Sequence, residues 1–317
     1  MRHLLILAIL VIAMGLLPIF ASNYTLRLGT MFAMYAVLAQ SWNIIGGFAG
    51  YPSFSTAAFF GLGAYTGAIL QTQGVPMPIA WISACLVVTI FAACLGIAIL
   101  HLKGHYFAIA SLVVAEVLLE ITTSWTDLTG GGMGINLPIL RISIEAQASL
   151  FYWSMLLLAL LALGLNFWVS KSQIGFALRC IRQNEDASAM VGINTTFFKV
   201  VGFALSAVLV GGAGAMYASW VFYIEPPDVY SVLTSVKPIV MALLGGAGTV
   251  FGPIIGAAIF LTMEEFVWRS FLSIHAAVLG LIIVGLIFFL PHGILGLLSD
   301  IKKKSIRKRG SSPGVEE

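Results

Sequence analysis

The sequence predicts an all-α integral membrane protein, a polytopic helical bundle of about 9–10 membrane-spanning segments with both termini in the cytoplasm. Three observations carry this expectation. Hydrophobic residues make up 60% of the chain and charged residues only 9%, a balance far from that of a soluble domain. The apolar residues gather in runs of about 20, the length with which a helix crosses a ~30 Å hydrocarbon layer, rather than in the ~10-residue alternation of a β-barrel. Basic residues crowd into a few segments, above all the tail IKKKSIRKRG, and Lys and Arg are retained on the cytoplasmic side of a bilayer.

The expected spans run from Leu4 to Phe20, Leu26 to Ile45, Phe54 to Leu70, Ile79 to Leu100, Tyr106 to Thr122, Leu150 to Val169 and Val200 to Val221, followed by a divided stretch from Val232 to Met263 and a last span from Leu272 to Leu290. The first, with an apolar core longer than that of a signal peptide, reads as a retained helix. Two linkers are long: an outer loop over about 123–149, and a loop over about 170–199 rich in Arg and Lys. Placing the latter inside with the tail leaves only Arg27, Arg141, Lys237 and Arg269, of sixteen basic residues, outside the cytoplasm. Residues 1–300 form the membrane domain and 301–317 a basic cytoplasmic tail.

Parity then constrains the stretch ALLGGAGTVFGPIIGAAIF, Ala242 to Phe260. The span before it leads out and the last span must lead back in, so Val232 to Met263 starts and finishes outside. It is too short for two full crossings, which predicts two short helices meeting at a glycine-rich break at membrane depth. Pro253 then falls near the start of the second helix, where its missing N–H is tolerated. Glu264, Glu265 and Arg269 read as a solvated outer loop, and Lys237 as snorkelling or paired with a carboxylate.

All seven tryptophans lie near span ends, as in interfacial belts. Small residues recur four apart at Gly63 and Gly67, at Gly211, Ala215 and Ser219, and at Gly248, Gly252 and Gly256, rows that let helices approach closely. GGFAG at Gly46 and GGAG at Gly245 echo one another and hint at a duplicated architecture. Cys85, Cys94 and Cys180 match no metal spacing and read as packing residues. His101 and His105 bracket Lys103 with no metal geometry.

Within the loop SKSQIGFALRCIRQNEDASAMVGINTTFFK, Asn184 or Glu185 could begin a short helix that Gly192 ends, its acidic first turn suiting the helix dipole. Flanked by Arg179 and Arg182, such a helix resembles the element through which ABC importer permeases dock on their ATPase; an amphipathic surface loop is the competing reading. The chain contains no Gly-Lys dipeptide, hence no phosphate-binding GxxxxGK[ST] loop, and no HExxH or GxSxG. Nothing in it argues for an enzyme.

Five motifs in order, GGFAGYPSFSTAAFFGLGAYTGAI, GHYFAIASLVVAEVL, LTGGGMGI, IGFALRCIRQNEDASAMVGIN and VMALLGGAGTVFGPIIGAA, resemble the LivM-type permease subunit of branched-chain amino-acid ABC importers, from about Trp42 to Gly296. The resemblance implies a multi-pass protein of the bacterial inner membrane, in contact with lipid and not with nucleic acid. It implies a LivH-type permease partner, two cytoplasmic ATPase subunits and an extracytoplasmic binding protein delivering leucine, isoleucine or valine, with no cofactor and no metal. By the same resemblance, Arg182, Glu185, Asp186, Ala189 and Gly192 face the ATPase. Ser53, Ser55, Thr56, Gly61 and Gly63, with Gly245, Gly246 and Thr249, match glycine-rich elements that flank the pathway. The chain departs from the family at Ser55 and Thr56, where Gly then His or Asn is common, and at LPHG, Leu290 to Gly293, in place of Arg-Pro-Gln-Gly.

Glu116 and Glu120 lie on one face of the fifth span. A carboxylate within a span suggests function, and Glu116 is expected either along the pathway or in a structural hydrogen bond, with Glu120 reaching the outer headgroups. Permeases for urea or short amides share much of this pattern. An ion-coupled secondary transporter would also use broken helices, but with charged relays in several spans.

Overall fold

Helix starts in this chain are written in short polar side chains, whose oxygens take up the N–H groups that a first turn leaves unpaired. In the computed structural model, residues 22–270 are described together with Gly15, Pro18 and Gly280; the expected first and last spans, the LPHG stretch and the basic tail lie outside the described residues. Ser22 caps α1 (Asn23–Trp42) and accepts from the Thr25 N–H. α1 continues as a π-helical turn, Asn43–Phe48, before α2 (Thr56–Thr72), α3 (Met77–Ile99) and α4 (His105–Ser124). A short helix α5 (Thr126–Thr129) follows. Ser143 then caps α6 (Ile144–Lys171) and Ser172 caps α7 (Gln173–Gln183). Asn184 and Asn194 cap α8 (Glu185–Met190) and α9 (Thr195–Val221). α10 (Pro226–Val229), α11 (Val232–Gly245) and α12 (Gly252–Ser270) complete the order. One small antiparallel ribbon joins β1 (Ile135–Asn136) to β2 (Tyr223–Ile224), with Ile135 opposite Ile224.

Six of the described helical stretches are long and apolar enough to cross a membrane: Asn23–Phe48, Met77–Ile99, His105–Ser124, Ile144–Lys171, Thr195–Val221 and Pro226–Gly245. The 17 residues of α2 give it about 26 Å, just short of a hydrocarbon layer.

The three predicted rows of small residues find partners. α2 and α9 run side by side in the same direction. Carbon added at Gly63 would meet the Gly211 backbone, and at Gly67 the Ala215 side chain at 2.7 Å. One step further Gln71 Nε2 donates to Ser219 Oγ at 2.9 Å, at the same offset of 148 residues. The other side of the α9 row receives α3, with Gly211 against Val88 and Gly212 against the Cys85 sulfur. The core thus forms around α9, where Phe203 packs edge-on against Phe59 and Phe107 at 5.2 and 6.1 Å.

The divided stretch is two helices, α11 of 14 residues and α12 of 19, folded back on each other around 246–251. Their crossing is set by glycine: at Gly245 a side chain would strike the Gly252 carbonyl, and at Gly256 the Met241 carbonyl. Pro253 occupies the first turn of α12. Three expectations need correction. Glu264, Glu265 and Arg269 lie in α12 rather than in a loop. The helix persists because the charges are paired sideways, Lys237 Nζ to Glu264 at 2.6 Å, and Arg269 Nε and Tyr24 OH to Glu265 at 2.7 and 2.5 Å. Trp42 is not an interfacial residue: it is 5% exposed and its indole N–H donates to the Ser53 carbonyl at 2.8 Å. The 170–199 segment is helical over most of its length, as α7 and α8, because Ser172, Asn184 and Asn194 each cap a new start.

Candidate functional site

The amphipathic helix α7 buries Gly175, Ala177, Leu178 and Ile181 against the bundle, leaving α8 to project beyond it. Between them Asn184 is extended, at φ −160°, so α8 is a separate piece and not a continuation of α7. The Asn184 side chain accepts from the Ala187 N–H at 3.0 Å, and Glu185 and Asp186 occupy the first turn, where the helix dipole favours negative charge. Gly192 reverses the chain at φ +89°, a conformation that a side chain would strain. Ala189 is exposed, and beyond it the apolar side chains of Met190 and Val191 are 82% and 78% exposed.

Lys199, one turn into α9, anchors this projecting piece. Its residue is 2% exposed, and an ammonium so buried is tolerated only when its protons are taken up. Nζ donates to Glu185 Oε1 at 2.7 Å, to the Leu100 carbonyl at 2.7 Å and to Tyr51 OH at 3.2 Å. Tyr51 OH in turn donates to Glu185 Oε2 at 2.5 Å, and the ammonium lies 5.1 Å from the centre of the Tyr51 ring. Burial works to raise the Glu185 carboxyl, but the hydrogen bonds from Lys199 and Tyr51 outweigh it and hold the group below its ordinary value. Burial, reinforced by the Glu185 carboxylate, pushes the Tyr51 phenol up. Asp186 pairs with Lys103 at 3.0 Å with both side chains exposed, an attraction worth little in water.

Arg182 lies where α7 passes the glycine segments. Its Nη1 donates to the Gly47 carbonyl at 2.5 Å, and a side-chain carbon at Gly248 would sit 2.8 Å from the same nitrogen. Its stem covers Gly50, whose φ of +76° and proximity to Arg182 Cγ exclude a side chain. The two echoing segments GGFAG and GGAG therefore meet, each where a helix gives out, with a carbon at Gly47 only 2.6 Å from the Gly248 nitrogen. Asn43, 0% exposed, ties the first segment to the second. It accepts from the Gly248 N–H at 2.7 Å and donates to the Thr249 carbonyl at 2.9 Å and to Asn166 Oδ1 at 3.1 Å. Gln40 Nε2 adds a bond to the Val250 carbonyl at 2.9 Å.

The other predicted residues are dispersed. Ser53, Ser55 and Thr56 are buried; Ser53 and Ser55 share a hydrogen bond of 2.7 Å, and serines of two neighbouring helices clasp the segment. Ser111 of α4 accepts from the Phe54 N–H at 2.9 Å, while Ser235 of α11 accepts from the Ala57 N–H at 2.9 Å and donates to the Phe54 carbonyl at 2.6 Å. Gly61 lies against the Tyr230 ring and Gly63 against Gly211, both at helix contacts. Gly245 packs on Gly252, and Gly246 turns the chain at φ +119°. The Thr249 hydroxyl accepts from the Gly252 N–H at 3.0 Å and donates to the Gly246 carbonyl at 2.7 Å, so it caps α12. Glu116 is exposed partway along α4 and makes no hydrogen bond or ion pair among the described residues.

Sequence reasoning passed over Lys199, Tyr51, Asn43 and Asn166. Each is a polar group in or beside an apolar run, and such groups in a span are expected to find interhelical partners.

Comparison with known proteins bears on this arrangement. The chain is 27% identical to a permease named LivM, of a high-affinity branched-chain amino acid transport system in Salmonella typhimurium, over 98% of this chain and 79% of that protein. A LivM permease of Escherichia coli is 26% identical over 99% of this chain and 79% of its own length. A LivH permease of S. typhimurium is 24% identical over 84% of this chain and 92% of that protein. No solved structure matches the chain. The family model described as the branched-chain amino acid transport system permease component matches residues 24–290. The chain belongs to that family of membrane permeases.

Proposed function

We propose that the chain is the membrane-spanning permease subunit of an ABC importer that carries leucine, isoleucine or valine across the bacterial inner membrane, with ATP hydrolysed by separate subunits. One observation carries this reading: α8 and the residue that ends it present Met190 and Val191 to solvent, yet α8 is bonded through Glu185 to buried Lys199 and lies next to Arg182, which touches both glycine breaks. A helix that ends in exposed apolar side chains and is anchored on its inner side suits a docking partner that pushes on it. The 170–199 segment is then cytoplasmic, as its basic residues require, and two ATPase subunits engage α8 of this chain and of its permease partner.

Closure of the ATPases around ATP displaces α8. The displacement reaches Gly47 and Gly248, where backbone outside regular helix lines or borders the pathway. Solute choice rests with an extracytoplasmic binding protein, since a permease site that held a zwitterion tightly would release it slowly.

The exposed Glu116 supports pairing. A carboxylate partway along a span is costly against hydrocarbon, so this face of α4 is covered by a LivH-type permease or by the aqueous path between the two. Glu116→Gln is expected to leave the chain folded, since no partner among the described residues is lost, and to reduce uptake. Wild-type uptake and assembly by that variant remove Glu116 from the pathway.

Reconstitution in proteoliposomes with and without the neighbouring ATPase subunits tests the whole reading. Uptake is expected only with ATPase and ATP present. Uptake without ATPase, following an ion gradient, overturns it.

A further inference from the structure

We propose that Lys199 is the positioning residue that converts movement of α8 into movement of the first glycine break, a role that rests on the coupling reading of α8. The extended backbone at Asn184 breaks the helix axis between α7 and α8, while its N–H donates to the Cys180 carbonyl of α7 at 3.1 Å and its side chain caps α8. Arg182, on α7, bonds to Gly47 and does not itself set the direction of α8. Glu185 does, because Lys199 and Tyr51 grip its two carboxylate oxygens separately, at 2.7 and 2.5 Å.

Tyr51 carries the connection onward. Its backbone N–H donates to the Ile45 carbonyl at 3.1 Å, so the residue is tied into the π-helical turn that ends in Gly47 and Phe48. The third acceptor of Lys199, the carbonyl of Leu100, belongs to the end of α3. Around one ammonium the structure thus gathers the first turn of α8, the segment after the first break, and the end of α3, on the base of α9. Between them α7 and this cluster make two attachments to the Gly46–Tyr51 segment, one at Gly47 and one at Tyr51. Two attachments make the segment turn with α7 and α8 together, where one would let it swivel.

A packing role does not call for this chemistry. A methionine of similar length would fill the space between α3 and α9 without desolvating a charge. What the ion pair adds is direction, since its hydrogen bonds hold Glu185 in one orientation relative to Tyr51.

The complete complex in proteoliposomes, with binding protein and ATPase, tests this by the number of ATP molecules hydrolysed per solute imported. Ala189→Cys is first cross-linked to the ATPase; absence of that cross-link overturns the coupling reading of α8 itself. With the cross-link present, Lys199→Met is expected to raise ATP consumed per solute about tenfold, and Tyr51→Phe, which keeps the ring and removes one hydroxyl, about threefold. A loss of solute and hydrolysis in proportion, or an unchanged ratio, in the Tyr51→Phe complex overturns the role of the cluster while leaving α8 as the docking helix. Tyr51→Phe decides the question even if Lys199→Met fails to accumulate in the membrane.

Discussion

The Arg182 guanidinium donates to the Gly47 carbonyl at 2.5 Å, joining α7 to a helix break 135 residues earlier in the chain. The contact exists because Gly248 has no side chain to meet the guanidinium and Gly50 none to meet the arginine stem. Arg182→Ala is expected to lower solute uptake in proteoliposomes about tenfold while ATPase binding persists, and Arg182→Lys to recover only part of it, since a lysine presents one point charge in place of a planar fork. Wild-type uptake by Arg182→Ala would remove this contact from the coupling route.

Asn43 joins the two breaks through the Gly248 N–H, the Thr249 carbonyl and Asn166. Interhelical hydrogen bonds in membranes average about 0.6 kcal/mol, so Asn43→Ala is expected to destabilise the protein by about 2 kcal/mol. Unfolding in mixed detergent micelles measures this, and Asn166→Ala should show a strongly non-additive effect in combination.

Glycines at contacts and glycines in the open respond in opposite ways. At Gly63 any side chain enters the Gly211 backbone, whereas nothing lies within 4 Å of the carbon that would be added at Gly164. Gly63→Leu is expected to cost about 3 kcal/mol or more, seen as loss of folded protein. Gly164→Ala is expected to stabilise α6 by about 0.5–1 kcal/mol.

The Glu185 carboxyl sits below its ordinary value of 4.5 because the Lys199 and Tyr51 hydrogen bonds outweigh the burial that would raise it. A carboxyl depressed in the folded state stabilises the fold above its unfolded value, and that contribution is lost as pH falls through the folded value. The stability advantage of the wild type over Glu185→Gln is therefore expected to stay level from about pH 8 to pH 5 and to shrink below about pH 4.5. An advantage that declined between pH 8 and pH 6 would contradict the arrangement.

Several local features are legible in the sequence. Asn184, Glu185 and Gly192 mark the start and end of α8 because a cap, an acidic first turn and a left-handed glycine act within a few residues of each other. The helical hairpin around 246–251 followed from charge parity, with Pro253 placed in the first turn of α12. Glu264 and Glu265 misled for a related reason: charges read as solvated loop are helical once Lys237, Tyr24 and Arg269 pair with them.

Apolar run lengths, caps and the spacing of small residues are properties of neighbouring positions, and they determined the helices, their ends and the rows available for close packing. Which rows meet was decided by tertiary structure, as when Gly63 found Gly211. The same holds for Lys199, whose three acceptors lie 14, 99 and 148 residues away. No local pattern encodes partners at such distances, because they are brought together only when α3, α8 and the segment after the first break close around α9 and leave one buried ammonium to be satisfied.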